Sequence, residues 1–517
     1  MSGRRYIVAV DQSTSATKAL LFDEEATPVH RVTVEHRQYY PARGYVEHDP
    51  AEILANTRGA IERVVREGAG RDDRVEALAI ANQRETVLAW NMETGAPVGR
   101  AMVWQDERGT PLCDALRRAG HDPDVQRRTG LLLDTYFSAS KLAWLLRNHD
   151  EAAGCRRAGV LAAGTIDAWL VWNLTDRAVF ATDVTNACRT LLFNIHTLAW
   201  DPDLLELFGL DGVLLPEVRR SDASYGEVRI AGLPGPVPII GVCGDSHAAL
   251  FGQAAFEPGE CKATFGTGSS VMLNVGRCPL SPPPGVVQSL GWGTADHVEY
   301  VFEGNIHSTG DTVRWVRDNL GLFASYEEAE RRAAALDDCA GVYLVPAFNG
   351  LGAPHWVHGI RAGIHGLSRS SGADHIIRAA LESIAYQVRD LVDRMRGTSA
   401  ITMRDLRVDG GPTRNRFLMQ FLADILDSPV RVASTEEVSA RGVAWFAGLA
   451  TGLYRNRAHL RDLARFSDVF EPTMNGGRRD WLVAGWRRAL DAIVSTATRE
   501  ETGTLTGDAA DDHERPL

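Results

Sequence analysis

The sequence predicts an α/β fold made of two similarly built domains, and three observations predict it. Short β-branched apolar runs alternate with segments of helical apolar spacing along most of the 517 residues. A strand–turn–strand unit with a Gly/Ser/Thr-rich turn stands near the start and returns about 250 residues later. The length suits two large domains, or three of about 150 residues each.

Residues 6–10 form the first apolar strand run, residues 11–17 are small and polar, and residues 19–22 are apolar again. Asp49 and Pro50 supply an N-cap and a first-turn proline for a helix. Its apolar residues Ile53, Leu54, Ile61, Val64 and Val65 keep helical spacing. Residues 75–81 read as a strand leading into Asn82-Gln83-Arg84-Glu85-Thr86. Residues 238–242 read as another, running into GVCGDSHAALFG, where Gly244 frees the backbone to bend and a helix begins near Ala248. The second unit comprises residues 263–265, the turn Gly266-Thr267-Gly268-Ser269-Ser270, and residues 271–275. A further strand at 406–408 precedes Asp409-Gly410-Gly411-Pro412-Thr413-Arg414-Asn415. These patterns place one domain at 1–250 and a second at 251–500. They leave 501–517, polar and acidic, as a disordered tail.

Composition narrows the class. Hydrophobic residues are 44% and charged residues 24%, with a net charge of -12. That is a soluble globular chain, and its acidity disfavours nucleic acid as a partner. The apolar stretch at the N-terminus ends at Asp11, too short for a signal-peptide core. No run reaches the roughly 18 apolar residues of a membrane span. Seven scattered cysteines with no Cys-x-x-Cys pair suit reduced thiols better than disulfides or zinc. A cytoplasmic protein without membrane or nucleic-acid partners is expected, and a homodimer or homotetramer is compatible with the chain. Of 55 basic residues only Lys18, Lys141 and Lys262 are lysine. Each lies beside a motif.

Turns rich in Gly, Ser and Thr can aim N–H and O–H groups at phosphate oxygens. Three qualify: Ser13-Thr14-Ser15-Ala16-Thr17 followed by Lys18, then Gly266 to Ser269, then Gly410 to Asn415. One such turn alone is equally an ordinary hairpin; three are not. Neither a GxxxxGK[ST] sequence nor a strand-to-helix GxGxxG is present. Asp11 ends the first strand, where a carboxylate can hold Mg2+ against phosphates. Asp245 ends another, where it can accept a proton from a substrate hydroxyl. Each is also open to reading as a cap or a buried structural acid. Arg84 and Glu85 lie at the C-terminal end of a strand, where α/β sheets bind ligands, and offer a donor and an acceptor for neighbouring hydroxyls. Trp104 and Tyr136 offer flat walls for a carbon skeleton, or core.

The blocks YIVAVDQSTSATKALLFD, GYVEHDP, ANQRET, FGTGS, VPAFNGLGAP and VDGGPTRNRFLMQ resemble the FGGY family of carbohydrate kinases, as do YFSASKLAWLLRN and AGIHGLSRSSGADHIIRAALE. The resemblance runs from Tyr6 to about Leu490 and lies nearest the family's glycerol-phosphorylating branch. It implies two actin-like, ribonuclease-H-type domains with ATP and Mg2+ in the cleft between them, and transfer of a γ-phosphate to a small polyol. On matching motifs it implies Asp245 as general base and Asp11 as the Mg2+-associated carboxylate. Thr14, Ser15, Ala16, Lys18, Thr267, Gly310, Arg314, Gly411 and Asn415 fall on nucleotide positions. Arg84, Glu85, Trp104 and Tyr136 fall on polyol positions. Ser246 and His247 stand where the branch usually carries Gln, and Ser270 stands where it carries Phe. These exchanges imply a wider, more polar pocket, so a tetritol, a pentitol, a ketose or a cyclitol is a second expectation beside glycerol. A non-catalytic actin-like ATPase or sugar sensor is a third. The stretch IAGLPGPVPI lacks the Arg of the Gly-rich loop through which some bacterial members of that branch bind fructose 1,6-bisphosphate, so no inhibition by that effector through this loop is expected. Lys18 is expected to face phosphate. Lys141 and Lys262 are open to two readings, a functional one or a structural one such as pairing with buried carboxylates.

Overall fold

The computed structural model describes residues 3–357, 359–398 and 401–503. Two large sheets dominate it. The first contains β1 (Arg5–Gln12), β2 (Ala16–Phe22), β3 (Pro28–Glu35), β4 (Arg74–Asn82), β5 (Ser224–Val228) and β6 (Val237–Gly244). Its spatial order is β5-β6-β4-β1-β2-β3. The second contains β7 (Glu260–Phe265), β8 (Ser269–Gly276), β9 (Val287–Gly293), β10 (Val298–Ile306), β11 (Asp405–Asp409), β12 (Val430–Ala433) and β13 (Phe466–Phe470). Its order is β9-β10-β8-β7-β11-β12-β13.

The two sheets repeat one plan. β1 pairs antiparallel with β2 and parallel with β4, which is parallel to β6. β7 pairs antiparallel with β8 and parallel with β11, which is parallel to β12. The faint repeat in sequence is therefore a full repeat in topology. Ile7 to Val10 and Ala77 to Ala81 are wholly buried, because parallel strands in the middle of such a sheet are covered on both faces.

Helix α1 (Pro50–Gly68) follows the cap read from sequence: the Asp49 carboxylate accepts from the backbone N–H of Ala51 and Glu52. Helix α2 (Ser138–Asn148) lies between the strands of the first half. Helix α3 (Asp245–Gly252) begins at Asp245 itself, three residues earlier than expected. Helices α4 (Gly310–Asp318), α5 (Arg416–Leu426), α6 (Val438–Ala450) and α7 (Gly476–Gly503) belong to the second half. Residues 501–503 finish α7, so the expected tail overlaps a helix there; 504–517 lie outside the described residues.

Helices α3 and α6 cross between the sheets with backbones nearly touching. A Cβ on Gly442 would stand 1.8 Å from the Ala248 carbonyl oxygen, and one on Gly252 would stand 2.2 Å from that of Val438. Only glycine permits this approach. Around the crossing Phe251, Val443, Trp445 and Phe446 share one core with Ile7, Ala77 and Ala79 of the first sheet. A helix of the second half thus completes the core of the first. All seven cysteines are unpaired. Among the described residues no helix is long and apolar enough to cross a membrane, and no group of three or more His, Cys, Asp or Glu could hold a metal ion.

Candidate active site

The first half brings its chemistry to the ends of β4 and β6, which are neighbours: Asn82 lies opposite Gly244. Beyond Asn82 the chain turns sharply, and Glu85 takes a left-handed φ of 60°, a conformation costly for a non-glycine residue. Gly244 has an ordinary extended backbone rather than a bend. Its missing side chain makes room instead, since a Cβ there would meet the Arg84 Cγ at 2.6 Å. Arg84 Nε lies 3.4 Å from Asp245 Oδ1.

Four buried charges alternate behind Asp245. Arg84 Nη2 and Nη1 reach Glu303 Oε1 and Oε2 at 2.8 and 3.0 Å, and Arg84 lies 4.0 Å from Glu85. Arg189 Nε reaches Glu85 Oε1 at 2.5 Å, and its Nη1 lies 2.8 Å from Glu303 Oε2. Two guanidiniums and two carboxylates cancel, which is what makes so much buried charge tolerable. The guanidiniums hold the Glu303 carboxyl well below its ordinary range, whereas burial wins at Glu85 and raises it. The Asp245 side chain keeps 32% of its surface open at the rim. Its dense surroundings still raise its pKa, against the pull of Arg84.

Arg189 and Glu303 were absent from the sequence expectations. Glu303 sits mid-strand in the buried run of β10, and Arg189 among buried small and apolar residues. A lone charge inside an apolar run was the available signal. The pairing also bears on the expected role of Arg84 and Glu85. Arg84 is tied to Glu303 and Glu85 to Arg189, so the donor and the acceptor read from sequence are each held in place by a buried partner.

Trp104 and Tyr136 are half-buried with ring centroids 5.6 Å apart. The Tyr136 hydroxyl accepts from Asn305 Nδ2 of the second half at 3.3 Å. Lys141 on α2 holds this loop: its Nζ donates to the carbonyls of Thr135, Tyr136 and Phe137 at 2.7, 2.8 and 2.9 Å. Its partners are carbonyls rather than a carboxylate. Burial pushes its pKa down to about 8. Lys262 is likewise hydrogen-bonded to neutral groups. It is fully buried and donates to Thr264 Oγ1 at 3.1 Å and Ser270 Oγ at 3.4 Å, and Ser270 in turn donates to Glu303 at 3.5 Å. Ser246 is half-buried beside Asp245. His247 lies 3.4 Å from Arg84 Nη1 and 3.2 Å from Ser289 Oγ. Burial depresses its pKa strongly, which keeps it neutral. Its Nδ1 then accepts from Arg84 and its Nε2 donates to Ser289.

Pairwise contacts link the three Gly/Ser/Thr turns across the two halves. In the first, Ser13 N and Oγ both donate to the Ala16 carbonyl at 2.9 Å, closing a tight turn with Ser15 exposed at its tip and Ala16 buried at the start of β2. Trp104 Nε1 donates to Thr14 Oγ1 at 3.0 Å. Asp11 stands opposite Lys18 in the β1–β2 register. Burial lifts the Asp11 carboxyl to about 7 despite that ammonium. Lys18 itself is engaged elsewhere than expected: its Nζ pairs with Glu437 at 3.0 Å, and Arg31 reaches the same carboxylate at 2.7 Å.

The second turn stacks on the start of α4, where Thr309 N and Gly310 N donate to the carbonyls of Thr267 and Gly266. A Cβ on Gly310 would stand 2.4 Å from the Gly266 oxygen. Thr267 and Arg314 face solvent. In the third, Gly410 has φ +95°, and a Cβ there would lie 2.0 Å from the Phe265 oxygen. Gly411 is open, with nothing near its Cβ position. The Asn415 side-chain oxygen accepts from Leu418 N, capping α5, so that oxygen is spent on the helix rather than left free for a nucleotide. Because β7 and β11 are adjacent, the second and third turns lie side by side. The third is joined to the first through the Arg414–Glu436 and Lys18–Glu437 pairs.

The N-terminal domain model of the FGGY family of carbohydrate kinases matches residues 6–252, and its C-terminal domain model matches residues 261–451. The chain belongs to this family. Glycerol kinase 1 of Thermotoga maritima is 48% identical over 490 residues, 95% of this chain and 100% of that protein. The glycerol kinase of Symbiobacterium thermophilum is 45% identical over 486 residues, 94% and 98% of the two chains. Among solved structures, Plasmodium falciparum glycerol kinase with ADP superposes with a TM-score of 0.90 at 34% identity, covering 95% of this chain and 98% of that one. The FGGY kinase described here therefore carries the family's two-domain actin-like architecture over its described length.

Proposed function

We propose that this FGGY kinase transfers the γ-phosphate of ATP to a hydroxyl of glycerol, giving sn-glycerol 3-phosphate. One observation carries the reading most: Asp245, the part-open carboxylate beside a buried charge cluster, lies against Arg84 in the half that also carries the first Gly/Ser/Thr turn, and the Lys18–Glu437 and Arg414–Glu436 pairs join that turn to the third. The relatives above, named glycerol kinases, support glycerol as the acceptor. In this reading residues 1–250 hold the polyol and the base, and residues 251–500 bind the nucleotide.

Phosphoryl transfer asks the protein for alignment and for neutralisation of spreading charge. Arg84, held by Glu303, and Glu85, held by Arg189, present one donor edge and one acceptor edge to adjacent hydroxyls. Trp104 and Tyr136 cover the carbon chain. Asp245 takes the hydroxyl proton as the oxygen bonds to phosphorus. Thr14, Ser15, Ala16 and Lys18 of the first turn, with Thr267, Gly310, Arg314, Gly411 and Asn415 across the cleft, line the nucleotide side. Asp11 would hold Mg2+. Its carboxyl rises to about 7 because the local cations do not offset its burial, and such a charge-deficient pocket fits a divalent ion bound by one or two carboxylates and phosphates. When bound, that ion neutralises charge on the phosphates.

ADP release followed with and without glycerol tests the reading. Glycerol-dependent release is expected, and its absence would leave an ATPase or sensor. Asp245→Asn is expected to cut turnover by about 100- to 10,000-fold while ATP still binds. Ser246 and Ser270, small and polar beside Asp245 and Glu303, favour a second reading in which a four- or five-carbon polyol also fits. A panel of acceptors compared by kcat/KM decides between them: glycerol is expected to lead, and a longer polyol leading would reassign the substrate.

A further inference from the structure

We propose that Trp104 is also a positioning residue for the first phosphate turn, because its indole N–H decides which way the Thr14 hydroxyl points; this rests on the phosphotransfer reading above. An indole N–H donates and cannot accept, whereas a threonine hydroxyl has one proton and two lone pairs. With Trp104 Nε1 3.0 Å from Thr14 Oγ1, one lone pair is filled, and the hydroxyl proton must point away from the ring.

The rest of the turn obeys the same logic. The Thr14 carbonyl faces Gln38 Nε2 at 3.0 Å and His36 Nε2 at 2.8 Å. The Ser13 carbonyl accepts from Gln12 Nε2 at 2.8 Å and from Gln83 Nε2 at 3.4 Å. The ring of His48 stands edge-on to His36 at 4.7 Å. Burial lowers the pKa of both histidines, that of His48 to about 3, so the pair stays neutral and His36 Nε2 acts as the donor to Thr14. These side-chain contacts to Ser13 O, Thr14 O and Thr14 Oγ1 are thus all donors. The groups that would repel a phosphate are covered, and the hydroxyl proton of Thr14 is left to meet one. The donor that orients it belongs to the wall proposed for the acceptor. That wall reaches the second half through Tyr136 and Asn305.

A double-mutant cycle tests this, with Trp104→Phe, Thr14→Val, both together, and Thr14→Ser as the conservative control. Trp104→Phe keeps a flat apolar ring, so KM for glycerol is expected to move less than about twofold. kcat/KM for ATP is expected to fall about five- to tenfold, the effect of one lost hydrogen bond. Thr14→Val is expected to lower the same parameter, Thr14→Ser to stay near wild type, and the double variant to be no worse than Thr14→Val alone. Additive losses in the cycle, or a Trp104→Phe loss confined to KM for glycerol, overturn the inference. A wild-type chain with no glycerol-dependent ADP release overturns the phosphotransfer reading and this inference with it. An active wild type with an additive cycle overturns this inference alone.

Discussion

Replacing Glu303 by Gln removes one negative charge and little volume from the centre of the buried cluster. Two guanidiniums then remain against Glu85 and the partly open Asp245. The amide keeps one acceptor oxygen, so Arg84 loses at least one of its two shortest contacts, at 2.8 and 3.0 Å, the new NH2 group faces a guanidinium, and the charge of the Arg189 contact at 2.8 Å is lost. Breaking a buried ion pair from one side costs about 3–5 kcal/mol. With Glu303 neutral, Arg84 is drawn toward Asp245, already 3.4 Å away, which makes that carboxylate a weaker base. If about 3 kcal/mol of the penalty falls on the transition state, kcat/KM for glycerol drops by about 100-fold, at about 1.4 kcal/mol per factor of ten. The remainder appears as lower resistance to urea. ADP release measured against glycerol at saturating ATP, together with a urea titration, reads both parts. A Glu303→Gln variant within threefold of wild type in kcat/KM, with an unchanged urea midpoint, would refute the view that Glu303 holds Arg84 in place.

Two further outcomes follow from the same geometry. Lys141→Met takes the ammonium from three carbonyls, that of Phe137 buried and those of Thr135 and Tyr136 part-buried. At about 1–3 kcal/mol for an unsatisfied buried group, stability should fall by about 1–3 kcal/mol, and KM for glycerol should rise as Tyr136 loses its support; a urea midpoint equal to wild type would contradict this. The Asp245 pKa is raised by burial, which outweighs Arg84 and Lys262, and Glu303 pushes it the same way. A base works ionised, so kcat/KM should hold at higher pH and be lost as pH falls through that raised value. An acid limb at or below about 4, the ordinary carboxylate range, would contradict the burial argument.

Local chemistry was legible wherever neighbours in sequence are neighbours in space. The Asp49 cap, the hairpin around Thr14 and the placement of Arg84 at a strand end each depend on a few adjacent residues, and each stands as read. Where a partner comes from far along the chain, sequence alone did not show it. Lys18 has a charge partner 419 residues away, at Glu437. Gly244 was read as freeing the backbone to bend, and it also makes room for Arg84, 160 positions earlier in the chain. Lys141 and Lys262 bind carbonyls and hydroxyls, partners that only the fold brings to them.

The sequence by itself determined the family, the α/β class with its repeated strand–turn–strand unit, and the residue types that can handle phosphate and hydroxyl groups. Those features rest on short-range pattern, on glycine where no Cβ fits, and on donors and acceptors set close together. Tertiary structure alone decided that Glu303 and Arg189 complete the charge cluster, and that the Trp104 indole donates to Thr14. A buried charge survives only with an opposite charge beside it. Folding brings Arg189 from elsewhere in the first half and Glu303 from the second.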